Sequence, residues 1–112
     1  MQRVQDAIAK SGLEPPTVSE LEQQLAQPNL TPVLRRLAAE GKVVAVTSDR
    51  FFSATALEHF LTTIRQLAAI EPVTPPKLRD RLGLSRKYLI PLLEWADRSG
   101  VTRRVGDTRV LA

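Results

Sequence analysis

Ser85-Arg86-Lys87-Tyr88 and Arg103-Arg104, with Arg109 close behind, are the side chains of this 112-residue sequence whose types and spacing could do chemistry. That chemistry is anion binding. Arg86 and Lys87 fall in the first turn of a predicted helix, where a cation opposes the positive end of the helix dipole. The arrangement costs stability unless an anion is bound, and free backbone N–H groups beside two cationic side chains make a phosphate site. The alternative is two solvated surface side chains. Further on, a two-residue turn at Gly106-Asp107 sets Val105 opposite Thr108, Arg104 opposite Arg109 and Arg103 opposite Val110. Directly opposed like charges disfavour a strand pair by up to about 1 kcal/mol. Arg104 and Arg109 therefore read as a pair awaiting a polyanion, unless the register slips or Asp107 relieves them. Arg98 adds a cation, although Glu94 lies one turn before it in the favoured orientation for a helical ion pair.

The remaining candidates divide between surface and core. Tyr88 could stack on an unpaired base, as readers of single-stranded RNA do, or pack into the core. Trp95 follows Leu92 by three residues and is expected in the core. His59, opposite Leu61 on its helix, is expected on the surface. Lys77, Arg79 and Arg81 could touch a nucleic-acid backbone or line a solvated helix.

Composition narrows the function further. With 43% hydrophobic and 25% charged residues, the chain is ordinary globular sequence, and collagen-like, mucin-like and acidic disordered classes are excluded. Its apolar runs, such as Val43 to Val46, fall far short of the roughly 20 residues of a membrane span. Gln2-Arg3-Val4-Gln5-Asp6 lacks the apolar core of a signal peptide, so a cytoplasmic location is expected. Cysteine is absent and there is one histidine, which leaves no thiolate or ordinary zinc site; no metal and no cofactor are expected. There is no G-x-x-x-x-G-K-S/T loop, no G-x-S-x-G elbow and no H-E-x-x-H pair, so the chain is expected not to be an enzyme. The formal net charge of +4 lies entirely in the second half: residues 57–112 hold ten basic against six acidic residues, residues 1–56 six of each. An anionic partner follows.

The elements that must hold these side chains come from periodicity. Val4, Ala7 and Ile8 mark a helix over residues 2–11, stopped by Gly12 and followed by Pro15-Pro16. Thr17 with Glu20, or Ser19 with Glu22, offers a capping box for a second helix reaching about Ala26. Leu30, Leu34, Leu37 and Ala38 form a third stripe, with Thr31-Pro32 as its opening and Gly41 as its stop. Lys42–Val46 and Arg50–Ser53 then read as a hairpin.

The pattern repeats. Leu57, Phe60, Leu61, Ile64, Leu67 and Ala68 make a helix ending before Pro72. Thr74-Pro75 opens a short helix to Gly83, a third starts near Ser85 and stops at Gly100, and Val101–Val105 and Thr108–Leu111 flank a type II′ turn at Gly106-Asp107. Pro32-Val33-Leu34 matches Pro91-Leu92-Leu93, and Gly41 matches Gly100, at one offset of 59 residues. Pro91 lies inside its helix, which requires a bend or a later helix start; the helix is kept and a bend is expected. The predicted fold is mostly α with small β-hairpins (α+β), arranged as two tandem winged-helix domains over residues 1–53 and 54–112. In that architecture the third helix and the wing commonly face nucleic acid.

The run L-G-L-S-R-K-Y-L-I-P-L-L-E-W-A-D-R-S-G-V-T-R-R-V-G-D-T-R-V-L, Leu82 to Leu111, resembles the C-terminal end of bacterial selenocysteine-specific translation elongation factors. The resemblance is dense there, extends back to Ala54 through F-L-T-T-I-R and T-P-P-K-L-R-D, and is weak over residues 1–53. It implies a fragment comprising the third and fourth winged helices of a larger factor, without the GTPase body. It further implies an mRNA-hairpin-binding module that recognises the selenocysteine insertion hairpin and tethers the factor at a recoded UGA codon. Ser85, Arg86, Lys87 and Tyr88 correspond to S-R-K-Y, and Arg103, Arg104 and Arg109 to T-R-R-V-G-D-x-R; Arg98 joins them as an RNA-contact candidate. The implied partner is an mRNA stem-loop, with the ribosome as a further candidate. GTP and selenocysteinyl-tRNA would be held only by the absent body, and the fragment would be a monomer. Two readings from the residues alone stand beside this one: a DNA-binding winged-helix regulator and a protein-docking module.

Overall fold

The computed structural model describes all 112 residues, Met1–Ala112. In chain order the elements are α1 (Gln2–Ser11), α2 (Val18–Leu25), α3 (Thr31–Ala39), β1 (Val43–Ala45), β2 (Phe51–Ser53), α4 (Ala54–Ala68), α5 (Pro75–Leu82), α6 (Arg86–Arg98), β3 (Thr102–Val105) and β4 (Thr108–Leu111). The chain divides into two compact units, Met1–Leu57 and Glu58–Ala112. This division falls inside α4 (Ala54–Ala68), four residues beyond the 53/54 boundary expected from the sequence. No helix is long and apolar enough to cross a membrane.

In the first unit, α2 begins where the sequence offers a hydroxyl and a carboxylate three residues apart. The Glu20 N–H donates to Thr17 Oγ1 (3.2 Å) and the Thr17 N–H donates to Glu20 Oε1 (2.9 Å), a reciprocal capping box. Of the two boxes the sequence allowed, the Thr17 box forms. Leu30 rather than Thr31 occupies the N-cap of α3, with Pro32 in its first turn, and Gly41 takes φ +76° where the chain leaves the helix. Val4, Ile8, Leu21, Leu30, Leu34 and Leu37 are buried together with Val43 of the hairpin, which pairs with Ser53. Burying each such side chain contributes roughly 1.5–3 kcal/mol against leaving it in water.

The second unit follows the same order. Thr74 caps α5 by accepting from the Lys77 N–H (3.3 Å), and Gly83 ends it at φ +70°. Phe60, Ile64, Leu78, Leu89, Leu92, Leu93 and Ala96 supply buried core. Trp95 is half-buried and meets Phe60 with ring centroids 6.5 Å apart. His59 is exposed. β3 and β4 pair in the expected register, with Arg104 opposite Arg109, and within the turn Gly106 alone is left-handed (φ +61°), the type II′ pattern. One feature was not anticipated: Val73, between α4 and α5, exchanges both backbone hydrogen bonds with Arg109 (2.9 and 2.8 Å), tying the wing to the segment that leads into α5.

Laid over each other at the 59-residue offset, α3 and α6 keep their buried positions in step. Leu30 and Leu89 match, as do Leu34 and Leu93, and Leu37 and Ala96. The helices also end together, at Ala39 and Arg98, but α6 starts one turn earlier. Gln27-Pro28-Asn29 of the first unit, with Asn29 at φ +59°, is replaced by helical Arg86-Lys87-Tyr88. Pro91 accordingly sits inside α6, and the later helix start that it could have imposed does not occur.

Candidate nucleic-acid interface

The extra turn of α6 carries the charge. Ser85 is its N-cap, in extended conformation (φ −77°, ψ 161°), and its side chain makes no capping hydrogen bond. The Tyr88 and Leu89 N–H groups both turn back to the Ser85 carbonyl (3.1 Å each), while those of Arg86 and Lys87, first in the helix, have no intrahelical acceptor. No acidic residue lies in this first turn. Ser85, Arg86 and Lys87 are exposed, and Tyr88 is half-buried with Lys87 Nζ 5.4 Å from its ring centroid.

A groove of about 680 Å³ runs beside this turn, between the start of α5, α6 and the wing turn. Arg79, Arg86, Arg104 and Arg109 line it, with Glu94 and Asp107 as its acidic groups and Pro75, Leu89 and Ile90 among its apolar ones. Arg79 was left undecided by the sequence, because helix α5 has no stripe that fixes which of its cations faces inward. Its neighbour Lys77 is instead paired with Glu71, and that hydrogen bond and the Lys77 charge hold the Glu71 carboxyl below its ordinary value.

The wing cations separate. Arg104 and Arg103 alternate along β3 and so project from opposite faces of the hairpin. Arg104 lines the groove, and its Nε–H donates to the Gly106 carbonyl (2.9 Å). Arg103 is exposed on the other face. No carboxylate pairs with Arg86, Lys87, Arg103 or Arg104.

Arg109 corrects the sequence reading. The pair expected to await a polyanion is half-neutralised from within: the Arg109 side chain is only 7% exposed, and its Nε–H donates to both carboxylate oxygens of Asp97 (3.2 and 3.1 Å). Asp97 also accepts from the buried Thr102 hydroxyl (2.7 Å). The sequence held a signal that Asp97 needs a cation, but not which one. An acid in the last turn of a helix faces the negative end of the dipole and calls for a compensating cation. Arg98 is a second departure, lying at the C-terminal end of α6, about 18 Å along the axis from Arg86 at 1.5 Å per residue. It is not brought together with the first-turn cluster.

The chain is similar to several known proteins. A family model described as "Elongation factor SelB, winged helix" matches residues 65–111. The selenocysteine-specific elongation factor of Desulfomicrobium baculatum is 28% identical over 109 residues, which are 95% of this chain and 17% of that protein. That of Escherichia coli strain K12 is 37% identical over 79 residues, 70% of this chain and 13% of that protein. The chain thus spans about one sixth or less of the length of these curated relatives. Among solved structures, the mRNA-binding domain of elongation factor SelB from E. coli in complex with SECIS RNA is 31% identical and superimposes with a TM-score of 0.82, over 99% of this chain and 98% of that one. The chain belongs to the SelB family. Within that family the fold extends to a bacterial selenocysteine-specific elongation factor, EF-Sec, with a TM-score of 0.83 at 24% identity over 18% of its length. The part of SelB that this chain matches end to end is an mRNA-binding winged-helix portion and not a catalytic domain.

Proposed function

We propose that this chain is the mRNA-hairpin-binding module of a selenocysteine-specific elongation factor, built as two tandem winged helices. The observation that carries the reading is the end-to-end likeness, at 31% identity, to a SelB domain solved with SECIS RNA. The charge distribution supports it independently. A-form RNA hides the base edges of its major groove, so a small basic surface works through phosphates, sugar hydroxyls and splayed loop bases. In this reading Arg86, Lys87, Arg103 and Arg104 hold phosphates, the Ser85 hydroxyl and the first N–H groups of α6 add donors, and Tyr88 stacks on a loop base. Arg109 and Arg98 leave the contact set, the first because Asp97 holds it and the second because it lies at the opposite end of α6 from Arg86 and Lys87.

The units take the boundaries 1–53 and 54–112, with the second carrying the RNA face. The family model that matches residues 65–111 is that of the third winged helix of SelB, where the resemblance had implied the fourth for this unit. The module acts as a cytoplasmic monomer. It raises the local concentration of its parent GTPase, selenocysteinyl-tRNA in hand, at a recoded UGA codon on the ribosome.

The test is a titration at one ionic strength with three ligands: a stem-loop from a selenoprotein message, the same stem with a scrambled loop, and a DNA duplex of matched length. Tightest binding to the intact stem-loop is the expected result. Equal binding to the duplex would favour a DNA-binding regulator. Uniformly weak binding to all three would favour protein docking.

A further inference from the structure

Arg109 lines the groove, yet every strong bond that it makes is internal. Its backbone N–H and carbonyl are spent on Val73 (2.8 and 2.9 Å), its strand partner is Arg104, and its guanidinium is held by Asp97 of α6. Asp97 in turn holds Thr102 at the base of β3. Three elements therefore meet at this residue: the last turn of α6, the wing, and the segment entering α5. We propose that Asp97 is the positioning and specificity-determining residue of the interface: it withholds Arg109 from phosphates and spends that charge on fixing the wing, leaving Arg104 as the only available wing cation on the groove side.

The consequence rests on the RNA-binding reading above. A free guanidinium at position 109 would add attraction for any polyanion without adding a contact that distinguishes one RNA from another, because phosphate contacts carry no sequence information. Holding it back keeps the non-specific term small. The neutralisation also removes the like-charge repulsion across the rung, so Arg104 can stay extended towards the groove in the absence of ligand.

Asp97→Asn separates charge from shape. The asparagine carbonyl can still accept from Arg109 or Thr102, but the negative charge is gone. The assay measures affinity for the cognate stem-loop and for its loop-scrambled control at several salt concentrations, well below the melting temperature of every variant. For Asp97→Asn, log K against log salt steepens by about 0.7–0.9, the increment for one more phosphate contact. The ratio of cognate to scrambled affinity falls, and Asp97→Glu restores both. Arg109→Met alone leaves the slope unchanged, and added to Asp97→Asn it returns the slope to the wild-type value.

An unchanged slope and ratio for folded Asp97→Asn would overturn the proposal, as would a slope flattened by about one unit in Arg109→Met, which would make Arg109 a phosphate contact already. A lowered melting temperature with slope and ratio intact would reduce Asp97 to scaffolding and equally overturn it. Failure of the wild-type chain to prefer the cognate stem-loop would instead refute the RNA-hairpin reading, so the two failures are told apart.

Discussion

Replacing Arg104 by alanine removes one groove-side cation while leaving the wing its frame. The side chain is exposed, and its one intramolecular bond, to the Gly106 carbonyl, closes a turn that the left-handed Gly106 and the strand register already define. Losing that exposed bond costs little, and Asp97 already neutralises the Arg109 opposite, so stability should stay within about 0.5 kcal/mol of wild type. Binding should suffer more. The four cations proposed to hold phosphates, Arg86, Lys87, Arg103 and Arg104, taken at about 0.7–0.9 per phosphate contact, give the wild-type chain a log K against log salt slope of roughly −3 to −4. Counting Arg109 as well would have made it steeper; its pairing with Asp97 removes it from the count. Arg104→Ala should flatten the slope by about one unit and weaken stem-loop binding by roughly 1–2 kcal/mol, about five- to thirtyfold in Kd. Fluorescence anisotropy over a salt series, with thermal melts of both proteins, makes the measurement. An unchanged Kd and slope would remove Arg104 from the interface, and a parallel drop in melting temperature would show the loss to be structural.

Tyr88→Ala should lower stability by about 1.5–2.5 kcal/mol, half of what a fully buried aromatic costs, and separately weaken stem-loop binding measured in the cold; a melting shift with unchanged affinity would assign the ring to packing alone. Pro91→Ala returns an N–H to the Lys87 carbonyl inside α6 and should raise stability, by no more than the roughly 3 kcal/mol that separates the two residues in a helix interior, with no change in salt slope; a lower melting temperature would mean that the packing of the half-buried ring outweighs the helix term. The Glu71 carboxyl is lowered from 4.5 by its hydrogen bond and charge pairing with Lys77, so its contribution to stability is present above that value and is lost as pH falls through the folded pKa. Wild type and Glu71→Gln should therefore converge in acid melts, and a gap that persists below that range would refute the pairing.

Helix stripes, glycine stops and the type II′ turn were legible because each depends on neighbours within one or two turns of chain. Leu30, Leu34 and Leu37 announce a buried face by spacing alone, and Gly106 announces a left-handed turn by having no side chain. The first-turn cations of α6 were legible for the same reason, since the dipole that they oppose is local. What could not be read were contacts between distant segments. Opposition of Arg104 and Arg109 follows from the register, but the Asp97 that neutralises Arg109 lies across the Gly100 turn on another element, and the Val73 bridge joins backbone atoms that carry no side-chain signature. Arg79 was illegible because α5 is too short and too polar for its periodicity to fix a face.

Helix α6 carries Arg86 and Lys87 against the positive pole and, next to the favourably placed Arg98, Asp97 beside the negative one. The two ends are resolved differently. At the C-terminal end the compensation is internal: Arg109 comes from the wing to Asp97, and the fold gains a fixed hairpin. At the N-terminal end no carboxylate of the protein answers, and the turn that carries the two cations is the one that α3 lacks at the same offset, where Gln27-Pro28-Asn29 leaves the helix unformed. A turn added to a repeated scaffold, loaded with charge that destabilises the isolated helix and left without an internal partner, makes physical sense when compensation arrives with a ligand. The first unit ties Arg36 and Lys42 to Glu40 and has no such turn. Two units of like helix order can therefore differ in function through one helical turn and the choice of which charges to neutralise at home.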